Sequence, residues 1–176
     1  MSAQFATESP RSMASFEPRE LRAAFGQFAT GITVVTTCTA DGRKVGLTVN
    51  SFSSLSLDPP LILWSLVKHS PSLQVFCDAP YFAINVLSEE QHGVARQFAT
   101  PAKDKFAGVE SELGTHGLPL LVDAIAHFEC SRAHVYEGGD HLIFVGKVEK
   151  FSTFERRPLL FHKGAFQQLA TEETMS

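Results

Sequence analysis

The feature that most restricts the fold of this 176-residue chain is the stretch GLTVNSFSSLSLDPP at residues 46–60. Its first half alternates, with Leu47 and Val49 on one side, and this period of two is typical of a half-buried strand. Short hydroxyl and amide side chains then follow until two prolines end the run. Such side chains suit a surface that holds a flat, polar-edged ligand. They equally suit a serine-rich edge strand that a double proline stops.

The composition indicates one globular domain without a charge-driven partner. Hydrophobic residues make up 44% of the chain and charged residues 19%, the usual balance of a folded domain of this length. Because the net charge is −4 and no run of Lys or Arg occurs, we expect no nucleic acid among its partners. No apolar run of membrane-spanning length and no signal-peptide pattern occur, so we expect a cytoplasmic protein with no membrane partner.

The ends and the cysteines carry no chemistry that we can assign. We expect flexible tails at residues 1–17 and 171–176 around a single domain at residues 18–170. Cys38, Cys77 and Cys130 are odd in number and widely separated. This spacing is typical of reduced, buried thiols and not of a disulfide framework or a metal knuckle.

Hairpin signals dominate the rest of the chain. The dipeptide Asp41-Gly42 joins strand patterns at residues 32–39 and 44–50, and Gly138-Gly139-Asp140 joins longer ones at residues 124–137 and 141–154. With further strand patterns at residues 61–67, 81–87 and 159–161, six or seven strands follow one another without βαβ alternation. This order predicts a closed or nearly closed antiparallel barrel with a few peripheral helices.

The helices are predicted from caps and spacing. Pro18 opens a helical pattern that ends by Gly31 and should lie on the core. Residues 88–91, SEEQ, form a capping-box signature for a helix that runs to about Phe98. Residues 100–115 lack a clear period and are predicted to form a long surface loop.

A third helix start follows the strand at residues 61–67. Ser70 is placed as its N-cap and Pro71 at its first position. With Lys68 and His69 beside it, such a start is either an anion-binding site or simply a capped helix.

Several familiar kinds of site are missing from the sequence. His127, His134 and His141 are spaced by seven residues, which puts neighbours on opposite faces of a continuous strand and argues against a metal site. Neither the GxSxG elbow of many hydrolases nor the glycine-rich loops GxGxxG and GxxxxGK[ST] occur. A small-polar strand, a capped helix with basic neighbours and a His directly after a tight turn remain.

These remaining segments resemble the short-chain flavin reductase family in order and spacing. The resemblance rests on FGQFATGITVVTT, GLTVNSFSSLSLDPPLILWSL, HSPSLQVF, DKF, GGDHLIFVGKVE and PLLFHKGAF, which together span about residues 25–169. Members are NAD(P)H:flavin oxidoreductases that supply reduced flavin to two-component monooxygenases. The resemblance implies a mainly β, Greek-key split barrel, a homodimer, and FMN, or alternatively FAD, in a groove near the subunit interface. NADH or NADPH is the implied hydride donor.

The resemblance also implies a set of contacts. The segment that lies along the flavin comprises Thr48, Val49, Asn50, Ser51, Phe52, Ser54 and Leu55. The residues expected near the ribityl phosphate are His69, Ser70 and Pro71, and those on the nicotinamide side are Gly139, Asp140 and His141. Phe166 shapes the nicotinamide pocket and stands where many relatives have Tyr. We assign Arg96, Phe98, Lys105 and Phe106 to the phosphate or adenine side.

The residues agree with such a role, because the cofactors carry the electronic work of hydride transfer and the protein supplies distance and orientation. Backbone N–H groups at residues 50–52 can meet the polar edge of the flavin, and His141 can hydrogen-bond the nicotinamide carboxamide or the reduced flavin. For His141 the alternative is a residue that only closes the hairpin.

Two rival functions are a flavin-bound reductase of a ferric chelate or corrinoid and a non-enzymatic flavin-binding module.

Overall fold

The structure is a computed structural model that describes residues 17–170. The predicted tails, residues 1–17 and 171–176, lie outside this range apart from Glu17. The helices of the described chain are α1 (Pro18–Phe25), α2 (Leu73–Asp78) and α3 (His92–Ala99). The strands are β1 (Thr30–Gly31), β2 (Thr33–Cys38), β3 (Lys44–Val49), β4 (Ser53–Leu57), β5 (Pro60–Val67), β6 (Tyr81–Val86), β7 (Ser111–Leu113), β8 (Pro119–Leu121), β9 (Ala126–Gly138), β10 (His141–Thr153), β11 (Leu160–His162) and β12 (Ala165–Gln167).

Seven strands form the main sheet, in the order β3-β2-β6-β9-β10-β5-β4, and all neighbours are antiparallel. The sheet curls around one core, because buried side chains from six of its strands meet in a single cluster: Val35, Val45, Trp64, Phe82, Cys130 and Phe144. The two edge strands, β3 and β4, are not paired with each other in the described chain. The predicted mainly β, antiparallel split-barrel fold with a few peripheral helices is confirmed.

Trp64 is the centre of this core. Its side chain is fully buried, stacks on Phe144 at 4.5 Å between ring centroids, and meets Phe76 and Phe82 edge to face. Burial of one large aromatic side chain stabilises a fold by about 2–3 kcal/mol. The double-proline stop therefore begins the strand that carries the central core residue.

A second apolar cluster holds α3 against the outside of the sheet. It contains Phe98 and Leu87, both fully buried. Gly46 of β3 faces this cluster, since a Cβ at that position would lie 2.6 Å from Cε1 of Phe98. Only a residue without a side chain lets α3 approach β3 so closely.

The two predicted hairpins are present, and a third, at Asp58-Pro59, was not predicted. The Asp41-Gly42 turn joins β2 to β3, and the Asp58-Pro59 turn, with a cis peptide bond, joins β4 to β5. Gly139 lies in the turn between β9 and β10 with a φ of 67°, a conformation that glycine adopts without steric cost. The capping box before α3 is also observed, because the Ser88 N–H donates to Oε1 of Gln91 at 3.1 Å.

Three local predictions are wrong. The first helix ends at Phe25 and not near Gly31, and none of its residues is buried, so it does not lie on the core. The helix after β5 has Ser72, not Ser70, as its N-cap. The predicted loop at residues 100–115 ends in β7, which pairs with β8 as a small separate sheet.

Candidate functional site

The link between the two edge strands, residues 50–52, presents free backbone donors. Asn50 is exposed, whereas Ser51 and Phe52 are half-buried. Within residues 17–170, no backbone hydrogen bond has the N–H of any of these three residues as its donor. Backbone polar groups seldom stay unpaired unless they meet water or a ligand. This row of N–H groups is therefore suited to bind acceptor atoms along the edge of a planar molecule.

The side chain of Ser51 fixes this row in place. Its Oγ accepts the Ser65 N–H at 3.0 Å and donates to the Ser65 carbonyl at 3.2 Å. These are the two bonds that a backbone partner would make, and they continue the β4–β5 ladder beyond the Ser53–Leu63 pair. Because the hydroxyl replaces the backbone in the ladder, the backbone of residues 50–52 remains free.

The other predicted residues of this segment are used in different ways. The Thr48 hydroxyl donates to the Ala95 carbonyl at 2.7 Å and so ties β3 to α3, and Val49 packs against the main core. Phe52 stacks on Phe128 at 5.7 Å. Leu55 lies at a register shift of β4 between Ser54 and Ser56, and half of its surface is exposed.

A basic cleft opens beside the start of β3, with a volume of about 520 Å³. Four cationic side chains line it, together with one carboxylate: Arg43, Lys44, Lys103, Lys105 and Asp104. Val45, Gly46, Ser72, Ala102 and Phe106 complete the lining. Two of the predicted phosphate-side residues, Lys105 and Phe106, therefore lie in a site with an excess of positive charge.

Phe98 does not contact this cleft directly, although the sequence assigned it to the ligand. It is fully buried, and a direct ligand contact does not fit that burial. It instead supports two lining residues, since its carbonyl accepts from Nζ of Lys105 at 2.7 Å and its ring meets Phe106 edge to face at 4.9 Å. Burial lowers the pKa of the Lys105 ammonium.

The turn between β9 and β10 packs against the end of β5. The Lys68 N–H donates to the Asp140 carbonyl at 2.9 Å, and Lys68 forms an ion pair with Glu137. Nδ1 of His141 donates to Oδ1 of Asp140 at 2.7 Å. This hydrogen bond is the main reason why the pKa of the Asp140 carboxyl is below its ordinary value. With Nδ1 engaged, Nε2 is the ring atom of His141 that remains for a ligand.

His69, Ser70 and Pro71 form the turn that follows. His69 is the smallest of the causes that lower the pKa of the Asp140 carboxyl. Ser70 Oγ accepts the Ser72 N–H at 3.3 Å. Since α2 begins at Leu73 and has only six residues, its N-terminus gives little support to the predicted anion site.

Arg96 and Phe166 form a third group. The Arg96 guanidinium lies over the Phe166 ring, 5.8 Å from its centroid, and both line a cleft of about 470 Å³ with Glu89 and His92. The predicted site residues are thus distributed over the residue 50–52 link, the basic cleft, the Asp140 turn and this aromatic cleft. Sequence reasoning missed Arg43 and Lys44, although the Asp41-Gly42 signal already places both at the start of β3.

The described residues contain neither a metal-ligating cluster nor a membrane-spanning helix. In the described part of the chain, no three His, Cys, Asp or Glu side chains are grouped so that they could hold a metal ion. Nε2 of the buried His127 donates to the Leu121 carbonyl at 2.9 Å. None of the helices within residues 17–170 has the length and hydropathy that a transmembrane helix needs.

Comparison with known proteins identifies the family. The model of the flavin reductase like domain matches residues 25–170. The chain belongs to this family. A solved flavin reductase family structure, the NADH:FAD oxidoreductase of Streptomyces globisporus in complex with NAD and FAD fragments, is 39% identical, and the alignment covers 91% of this chain and 99% of that chain with a TM-score of 0.85.

Two curated family members extend the comparison. The reductase component of a flavin-dependent trigonelline monooxygenase from Acinetobacter baylyi is 46% identical over 89% of this chain and 50% of its own length. The FMN reductase (NADH) SmoA from Agrobacterium fabrum is 42% identical over 88% of this chain and 87% of its own length. This chain spans about half the length of the Acinetobacter baylyi protein and of another curated relative, from Rhizobium meliloti.

Proposed function

We propose that this chain is an NAD(P)H:flavin oxidoreductase that supplies reduced flavin to a partner monooxygenase. The observation that carries the proposal is the row of free N–H groups at residues 50–52, which the Ser51–Ser65 hydrogen bonds hold at the link between the edge strands β3 and β4. Membership of the flavin reductase family supports it, as do relatives named as NADH-dependent flavin reductases and as a monooxygenase reductase component.

The residues present fit a flavin. The link at residues 50–52 offers donors for the acceptor edge of the ring, and the basic cleft at the other end of β3 offers cations for a phosphate. Gly46 lies in β3 and Asn50 directly follows this strand, four positions later, which corresponds to about 13 Å along an extended chain. The amide row and the basic cleft would therefore hold the ring and the phosphate of one flavin near the two ends of β3.

A bound flavin supplies the hydride acceptor, and a reduced nicotinamide supplies the hydride. The chain contributes position and polarity. With a flavin bound, the amides of residues 50–52 would orient the ring and stabilise negative charge on its edge, and Nε2 of His141 would hydrogen-bond the nicotinamide carboxamide or the flavin. Asp140 holds the His141 imidazole in one orientation through Nδ1. NADH is our first choice of donor, because SmoA and the Streptomyces globisporus protein are both named for it.

His141→Ala provides the test. We expect NADH-dependent bleaching of the flavin to slow by about 10–100-fold in anaerobic stopped-flow measurements, while the flavin Kd changes by less than about twofold. His134→Ala is the matched control, since His134 is an exposed His on the same hairpin that stacks on Tyr136. Equal losses of flavin affinity and reduction rate in His141→Ala would contradict the assignment, and a parent protein that reduces no flavin would contradict the proposed function.

We also propose that the active form is a homodimer and that the monooxygenase contact is transient. The free edge of β4 supports a dimer, because it carries no charged residue to prevent pairing and Leu57 is 95% exposed. Leu57→Lys should shift the protein from dimer to monomer in sedimentation velocity, whereas Lys147→Ala, at an exposed β10 position, should not. We place the protein in the cytoplasm, where free thiols such as those of its three cysteines are the rule.

A further inference from the structure

The basic cleft is larger than a single phosphate requires. Its volume of about 520 Å³ lies within the range of about 300–1,000 Å³ of pockets that hold whole small molecules. Its lining combines cations with the apolar side chains of Val45 and Ala102 and the ring of Phe106. A flat heterocycle joined to anionic groups matches this combination better than an isolated phosphate does.

Two of the four cations are already engaged within the protein. Nζ of Lys44 donates to Ser111 Oγ at 2.9 Å and lies 5.7 Å from the centroid of Phe106, and Nζ of Lys105 donates to the Phe98 carbonyl. The Asp104 carboxylate accepts the Phe106 N–H at 2.8 Å. In contrast, the side chains of Arg43 and Lys103 make no hydrogen bond or ion pair among residues 17–170. These two are the cations available to a ligand.

The position of Arg43 relative to the amide row sets the length of the ligand. Seven residues separate Arg43 from Asn50, which corresponds to about 23 Å along an extended chain, whereas Gly46 is about 13 Å from Asn50. A flavin mononucleotide ends at its only phosphate. A flavin adenine dinucleotide continues with a second phosphate and adenosine, and these are the groups that would occupy the distal half of the cleft.

We propose that the basic cleft binds the adenosine diphosphate half of FAD, with Arg43 and Lys103 on its phosphates and Phe106 beside the adenine, so that FAD is preferred over FMN. The inference rests on the proposed function, because it takes the flavin ring to lie at residues 50–52. It differs from that function in naming which flavin the chain selects, a property that varies between the relatives named for FMN and for FAD.

Equilibrium binding of FAD, FMN and riboflavin to the full chain tests the proposal without turnover. Flavin fluorescence titrations should give a Kd for FAD about tenfold lower than that for FMN, which corresponds to one added charge-assisted contact. Arg43→Ala and Lys103→Ala should each raise the FAD Kd by about fivefold or more and change the riboflavin Kd by less than twofold. Lys147→Ala is the control, because Lys147 is exposed on β10 outside the cleft.

Each remaining outcome overturns the inference. Equal FAD and FMN affinities in the parent would do so, as would a uniform loss for all three flavins in the two cleft variants. Weaker NADH binding with unchanged FAD binding would assign the cleft to the nicotinamide dinucleotide instead. An NADH oxidation assay separates the two proposals. If the protein reduces flavin but binds FAD no more tightly than FMN, only this inference is contradicted. If it binds FAD more tightly but does not reduce it, only the proposed function is contradicted. A chain that binds no flavin contradicts both.

Discussion

The Ser51 hydroxyl occupies the place of a backbone partner for Ser65, accepting its N–H at 3.0 Å and donating to its carbonyl at 3.2 Å. One side chain thus extends the β4–β5 ladder, while the N–H of the same residue stays outside the ladder. A sheet edge that ends in this way can present free N–H groups while the backbone N–H and carbonyl of the neighbouring strand keep their hydrogen bonds.

This relationship predicts two separable effects at Ser51. Ser51→Ala removes the hydroxyl and should lower stability by about 1 kcal/mol, with a weaker riboflavin affinity because the amide row is no longer fixed. Ser51→Pro removes both the hydroxyl and the backbone N–H. The ratio of the riboflavin Kd values of the two variants therefore measures the contribution of the Ser51 N–H to binding, and we expect the Kd of the Pro variant to be about tenfold higher. Ser53→Ala is the control, since the Ser53 hydroxyl bonds only to the adjacent Ser54 carbonyl. Identical affinities for the Ala and Pro variants would refute a flavin held by this amide.

Gly46→Ala should weaken the attachment of α3. The new Cβ would lie 2.6 Å from the Phe98 ring, and overpacking of this kind costs about 1–3 kcal/mol. Gly93→Ala is a matched control within α3, because a Cβ there meets nothing within 4 Å and the change should be neutral or stabilising. Urea denaturation measures the free energy of unfolding of both variants. Equal stability of Gly46→Ala and the parent would mean that α3 moves away from β3 without cost.

The Asp140–His141 hydrogen bond predicts a pH-dependent contribution to stability. The pKa of Asp140 is lower in the folded protein than the value of about 3.9 for an unfolded chain. The stabilisation is therefore present above pH 4 and is lost as the pH falls through the folded pKa. Asp140→Asn should be less stable than the parent at pH 7, and the difference should shrink toward pH 3. A difference that stays constant over this range would argue against an ionised Asp140 as the partner of His141.

The cysteines should differ in reactivity. Burial raises the pKa of Cys130 to about 12 and leaves the side chain almost inaccessible, so on the order of one thiol in ten thousand is ionised at pH 8. Cys38 and Cys77 are half-buried. A disulfide reagent at pH 8 should titrate these two in the folded protein and all three in urea. Rapid reaction of three thiols without denaturant would contradict the buried position of Cys130.

Local chemistry determined much of the architecture from sequence alone. The turn residues of Asp41-Gly42 and Gly138-Gly139-Asp140 have few alternative conformations, so these two hairpins were predicted. The double proline after Asp58 was expected only to end a strand, and the structure shows a hairpin there. The alternation of Leu47 and Val49 predicted a half-buried strand, and both side chains pack against the main core. These features depend on residues that are close in sequence, where sterics and backbone hydrogen bonding decide the outcome.

Only the tertiary structure decided which residues meet. Thr48 bonds to Ala95, Ser51 to Ser65 and Lys105 to Phe98, and the helical spacing of Phe98 could not distinguish a ligand contact from a core side chain. The exposure of α1 has the same origin, because its apolar spacing predicted a buried face and no other part of the described chain covers it. Contacts between segments that are distant in sequence depend on how the sheet curls. The packing of the whole core decides this curvature, and no short stretch of sequence specifies it. The sequence thus determined the strands, the turns and a small-polar segment, whereas the curled sheet brought Arg43 and Lys103 into one cleft.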